Sequence, residues 1–82
     1  MDTTAVTVDQ ELDLRGEVCP YTFVKSKLAL EELEQGQVLQ VRVDHRPAVD
    51  NVPRSMQNEG QEIVAISEVG PKEWTITIRK AT

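Results

Sequence analysis

Four stretches of this chain alternate apolar and polar residues, and two helix-forming stretches are interleaved with them. In ELDLRG, Leu12 and Leu14 face one way and Glu11, Asp13 and Arg15 the other, which is the pattern of a half-buried strand. In QVLQVRVD, Leu39, Val41 and Val43 alternate with Gln40, Arg42 and Asp44. EIVAISEV and EWTITIRK come last, with Trp74, Ile76 and Ile78 on one face of the second. Gly70 and Pro71 between them mark a short antiparallel connection.

Residues 20–35 read as the first helix. Pro20 suits a first turn, where its missing N–H is no loss. Helix formers fill the body, and Gly36 is a stop signal. Phe23, Ser26, Leu30 and Leu33 form one stripe, with Ala29 beside it, and this is the expected core face. Tyr21, Val24 and Leu28 form a second stripe. HRPAVDNVPR reads as a turn into the second helix, with Pro47 in the loop, Asn51 as N-cap and Pro53 in the first turn. Val49, Val52 and Met56 are its apolar stripe, and Gly60 ends it.

The order β-α-β-α-β-β predicts an α+β fold. Parallel βαβ units with right-handed crossovers give a two-layer α/β sandwich: a four-stranded mixed sheet with both helices on one face. Residues 1–10 are expected to be a flexible N-terminal leader and 11–82 a single domain, since 82 residues suffice for one domain only.

Fourteen acidic against nine basic side chains leave a net charge of −5. That argues against nucleic acid as a partner, because such binding draws its affinity from Lys and Arg on phosphates. One cysteine excludes an internal disulfide, and one cysteine with one histidine excludes a closed structural zinc site. No metal or organic cofactor is expected. No apolar run approaches the roughly 18 residues needed to cross a bilayer, and the N-terminus lacks the pattern of a signal peptide. A reduced thiol fits the cytoplasm, which is the expected location, and a monomer is the expected state.

The one thiol, Cys19, directly precedes Pro20 and the first helix. First-turn N–H groups have no partner within their helix and favour negative charge. A thiolate is the reactive form of cysteine, and such a position lowers its pKa. A persulfide anion would be stabilised in the same way. The only histidine, His45, stands 26 positions away; a contact between the two is open. The competing reading is that Cys19 is a small buried hydrophobe.

The run LDLRGEVCP, then a helix, then GQVLQVRVDHRPAVDNVPR resembles the SirA/TusA family of sulfur-carrier proteins. The family pattern Leu-Asp-x-x-Gly-x-x-Cys-Pro-x-Pro appears as Leu12, Asp13, Gly16, Cys19 and Pro20, with Thr22 in place of the second proline. Asp44, Pro47 and Ala48 match the family's Asp-Asp-Pro-Ala with one extra residue, and Asn51, Val52 and Pro53 stand for Asp-Ile-Pro. The resemblance implies the same β-α-β-α-β-β sandwich. It implies a sulfurtransferase of the carrier kind, in which Cys19 takes sulfane sulfur as a persulfide from a cysteine desulfurase or rhodanese-type donor. An acceptor protein then uses that sulfur for tRNA thiolation, cofactor synthesis or sulfur oxidation. Pro20 would fix the direction of the helix, and Thr22 would alter donor geometry or partner choice.

Around the thiol, Tyr21, Val24 and Leu28 are candidates for an apolar docking patch, bordered by Lys25 and Lys27. Arg15 with those two lysines would lend a local positive field. His45, Arg46 and Arg54 are candidates for a second basic cluster at the start of the second helix. For each cation the plain alternative is a solvated surface charge. Two further readings of the whole chain stand beside the carrier: a non-catalytic regulatory or binding module on the same fold, and a thiol redox sensor.

Overall fold

The computed structural model describes residues 8–18 and 21–82. Its elements are β1 (Gln10–Asp13), α1 (Tyr21–Glu31), β2 (Val38–Val43), α2 (Arg46–Asn58), β3 (Glu62–Gly70) and β4 (Glu73–Arg79). The strands lie in the order β1-β2-β4-β3. β1 is parallel to β2, and β4 is antiparallel to both β2 and β3. β2 and β3 therefore run in the same direction with β4 inserted between them. Each helix thus crosses between co-directional strands, and the two lie against each other and against β2. This is the expected α+β sandwich.

Register explains the core. Val41 faces Leu12 on one side and Ile76 on the other, and Leu39 faces Ile78. With side chains alternating at period two, Leu39, Val41, Val43, Ile76 and Ile78 all point to the helix side and are fully buried. Leu30 meets them from α1, and Ala48, Val49, Val52 and Met56 meet them from α2. Burying each larger aliphatic side chain contributes about 1.5–3 kcal/mol. Trp74, expected in the core, is only half-buried at the margin of this cluster.

Three boundaries differ from the sequence reading. β1 starts at Gln10, inside the expected leader, and Asp9 is already tied to β2. Its N–H donates to the Val38 carbonyl at 2.9 Å, and its carboxylate accepts from the Val38 N–H at 2.8 Å. The rest of the expected leader, residues 1–7, lies outside the described residues.

α1 ends at Glu31 rather than at 35. The Leu33 N–H turns back to the Leu30 carbonyl at 3.0 Å, a tightened final turn. Gly36 has the positive φ of 93° expected of a stop residue, but it serves the turn into β2. There the Gln37 N–H donates to Glu34 at 2.9 Å and the Gly36 N–H to Lys80 at 2.7 Å.

α2 begins at Arg46, five residues before the expected N-cap Asn51, and its N-cap is His45 in an extended conformation. Pro47 thus lies in the first turn, where its missing N–H costs nothing, and Pro53 lies inside the helix with its ring buried. Ala48, Val49, Val52 and Met56 recur on one helical face. A helix starting at Asn51 would lose the first two from that face.

Candidate functional site

The chain reaches Cys19 through a short loop fixed on several sides. Buried Leu14 extends the parallel pairing by one step, its N–H donating to the Arg42 carbonyl at 2.8 Å. The Glu17 N–H returns to the Leu14 carbonyl at 3.0 Å, closing a turn. Gly16 takes φ of 91° within that turn, a region that disfavours any residue with a Cβ. The Gly16 N–H donates to Asp44 Oδ1 at 2.9 Å. Lys25 of α1 holds the Glu17 carboxylate at 2.8 Å. On the far side of the cysteine, the Tyr21 N–H donates to the Val18 carbonyl at 2.8 Å. Cys19 and Pro20 themselves lie outside the described residues, and with them the open question of a contact between His45 and the thiol.

α1 separates its two faces cleanly. Thr22, Ser26 and Leu30 are buried, and Phe23, Ala29 and Leu33 rest partly buried on the core. The Ser26 hydroxyl is satisfied by donating to the Thr22 carbonyl at 2.7 Å. Tyr21, Val24 and Leu28 are exposed at 57 %, 43 % and 57 %. Val18, 49 % exposed, belongs with this stripe although the sequence reading passed over it. Its signal was its place three residues before Tyr21. Thr22, by contrast, is fully buried.

The cations are engaged. Arg15 grips Asp13 with two nitrogens, Nη2 at 2.7 Å from Oδ2 and Nε at 2.9 Å from Oδ1, and its Nη1 lies 3.7 Å from Glu73. The side-chain hydrogen bond from Arg15, reinforced by its backbone N–H, lowers the Asp13 pKa to about 2. The same bond raises that of Arg15. The charge of Arg15 is thus neutralised by its own neighbours, as is that of Lys25 by Glu17. Lys27 pairs with Glu59 at 3.4 Å, joining α1 to the end of α2. The candidate positive field from these three is correspondingly weakened.

His45, Arg46 and Arg54, the candidates for a second basic cluster, are not all at the start of α2, because the helix starts earlier than the sequence reading placed it. Arg46 opens the helix, its guanidinium 5.9 Å from the Trp74 ring centroid and 3.7 Å from Asp50. Arg54 lies two turns further along, exposed, rather than at the helix start. His45 is half-buried and caps the helix with its backbone, making no side-chain cap bond.

This geometry has close counterparts. A family model described as sulfurtransferase TusA matches residues 10–80. Relatives bearing the name "Putative sulfur carrier protein" occur in several organisms. One from Archaeoglobus fulgidus is 48 % identical over 79 residues, covering 96 % of this chain and 90 % of the relative. One from Thermotoga maritima is 40 % identical, covering 88 % and 91 %, and TsuB of Escherichia coli is 32 % identical, covering 90 % and 99 %. The crystal structure of a SirA-like protein from Desulfitobacterium hafniense superposes with a TM-score of 0.78 at 28 % identity, covering 89 % of this chain and 99 % of that one. With the family pattern spanning every element from β1 to β4, the chain belongs to the TusA family.

Proposed function

We propose that this protein is a sulfur carrier whose Cys19 holds sulfane sulfur as a persulfide and relays it between two other proteins. The observation that carries the reading is that the family match spans residues 10–80 and that Cys19 is the one thiol within it. The Cys19 thiolate attacks the terminal sulfur of a persulfide on the donor. The S–S bond of the donor breaks, its cysteine leaves as thiolate, and Cys19–S–S⁻ is formed. No electrons are gained or lost overall. Attack by an acceptor thiolate on the terminal sulfur reverses the roles and returns Cys19 as thiolate. The positive end of a helix dipole favours both anions, which is the support that α1 would lend, with the Tyr21 N–H already given to the Val18 carbonyl.

The partners are a cysteine desulfurase or rhodanese-type donor and an acceptor protein. Donor and acceptor supply the remaining catalytic groups, so the chain by itself is a weak sulfurtransferase. The exposed stripe Val18, Tyr21, Val24 and Leu28 is the surface on which they dock, since it continues along α1 from the cysteine. Apolar surface left exposed in this way marks an interaction site. The protein acts as a cytoplasmic monomer. No described helix is long and apolar enough to cross a membrane.

Intact mass after incubation with a cysteine desulfurase and cysteine tests the reading. The wild type gains one sulfur atom, the gain is removed by reductant, and Cys19→Ser folds but gains none. A Cys19→Ser variant that still took up sulfur would refute it. So would a wild type that gains only oxygen from dilute peroxide, which is the behaviour of a redox sensor.

A further inference from the structure

Asp44 is the single residue between the end of β2 and the N-cap of α2. Its backbone belongs to the second β–α corner, but its carboxylate serves the first: Oδ1 accepts the Gly16 N–H at 2.9 Å. That bond spans 28 positions of sequence and meets the loop at the residue with φ of 91°. Past the end of the β1–β2 ladder, the other fastenings of the loop are side-chain ion pairs or bonds within the loop itself. Leu14 continues the β1–β2 ladder, and Glu17 reaches Lys25 through an exposed ion pair of a kind that contributes little in water. The Gly16–Asp44 bond is also exposed, at 2.9 Å, but its acceptor is a carboxylate, and bonds to charged acceptors are stronger than neutral ones. It also acts on backbone, so it fixes the path of the chain itself.

We propose that Asp44 is a positioning residue for Cys19: by holding the Gly16 N–H it sets the course of the loop that delivers the cysteine to the start of α1. This rests on the carrier reading for its functional meaning, though not for its geometry. Asp44 does not touch the sulfur in this account. It acts through Gly16, three residues upstream of Cys19.

The test compares the full chain carrying Asp44→Ala or Asp44→Asn with wild type. Asparagine retains a side-chain oxygen that can accept the same bond, whereas alanine removes it. Three quantities are read: amide exchange at Gly16, the rate of Cys19 alkylation by iodoacetamide, and the rate of persulfide loading from a cysteine desulfurase with cysteine. In Asp44→Ala, Gly16 loses its protection and loading slows about tenfold, the order expected for losing one hydrogen bond to a charged acceptor. Alkylation changes alongside. Asp44→Asn restores all three most of the way. If Asp44→Ala does not fold, Asp44→Ser, whose shorter side chain falls short of Gly16, replaces it. An alanine or serine variant with wild-type exchange, alkylation and loading overturns the proposal, and so does an asparagine variant as impaired as alanine. A wild type that takes up no sulfur defeats the carrier reading alone, because exchange and alkylation still decide the role of Asp44.

Discussion

Lys80 closes a helix that lies almost fifty residues before it. Its Nζ donates to the Leu33 carbonyl at 2.9 Å and to the Glu31 carbonyl at 3.3 Å, so the open end of α1 is satisfied from the residue that follows β4. Terminal carbonyls of a helix have no intrahelical donor, and a cation there also complements the helix dipole. The Gly36 N–H, donating to the Lys80 carbonyl at 2.7 Å, fastens the same corner from the other side. Lys80→Met keeps the apolar stem and removes both donors. The expected loss is about 1–2 kcal/mol, read as a lower midpoint in urea with an unchanged slope.

That contact shows why α1 could not be bounded from sequence. Residues 32–35 are good or neutral helix formers, and Gly36 does have the left-handed conformation of a stop residue. The helix nevertheless ends at Glu31, where a side chain from the other end of the chain captures its carbonyls. The start of α2 was hidden for a different reason. Pro47 and Pro53 each fit a first turn, and the more orthodox cap, Asn51, favoured the wrong one. What decided the matter was burial of Ala48 and Val49 on the same face as Val52 and Met56, which only the packed sheet can impose.

The strands were legible because apolar residues alternate at period two, and the inward Leu39, Val41, Val43, Ile76 and Ile78 of β2 and β4 are all fully buried. Of the candidate site, the exposed stripe of α1 was legible, since it is a local pattern; Cys19 itself lies outside the described residues. The electrostatics were not. Arg15 and Lys27 look available in the sequence, yet Arg15 is gripped by Asp13 two residues away, and its second partner Glu73 and the Lys27 partner Glu59 come from distant segments. The bond from Gly16 to Asp44 was equally invisible, although both residues stood in the recognised motifs.

The Arg15–Asp13 pair gives stability a pH dependence of definite sign. Asp13 titrates at about 2 in the fold, against roughly 3.9 in an unfolded chain. Between those values the unfolded state binds more protons, so stability falls as pH falls. The contribution of Asp13 is complete above about pH 5 and disappears between roughly pH 4 and 2. Urea midpoints of wild type and Asp13→Asn measured across this range check it. Their difference should be constant near neutrality and shrink through the acid window, whereas a constant difference down to pH 2 would contradict the pairing.

Gly16 and Gly36 offer a matched comparison. Both have φ near 90°, and a Cβ added to either would meet no atom within 4 Å. Alanine at each should therefore cost stability through backbone conformation alone, about 1 kcal/mol. Only Gly16 lies on the loop leading to Cys19. Gly16→Ala is expected to slow persulfide loading, and Gly36→Ala, equally destabilised, is expected to load at the wild-type rate. Equal loading by both variants would separate the loop's conformation from its function.

Leu28 and Leu30 stand two residues apart on α1 with opposite fates: the first is 57 % exposed and the second 2 %. Leu30→Ala removes a side chain from the centre of the core and should cost about 2–5 kcal/mol. Leu28→Asp places a charge in water and should leave stability within about 0.5 kcal/mol. Its effect falls on transfer instead. A carboxylate at position 28, on the stripe with Tyr21 and Val24, would have to be desolvated when a partner docks there, and that penalty slows sulfur exchange with donor and acceptor alike. Small-molecule alkylation of Cys19 needs no docking and should proceed unchanged. The contrast between those two rates, measured on one folded variant, assigns the stripe to partner binding. An unfolded Leu28→Asp would return it to the core, and unimpaired transfer would move the docking surface off α1.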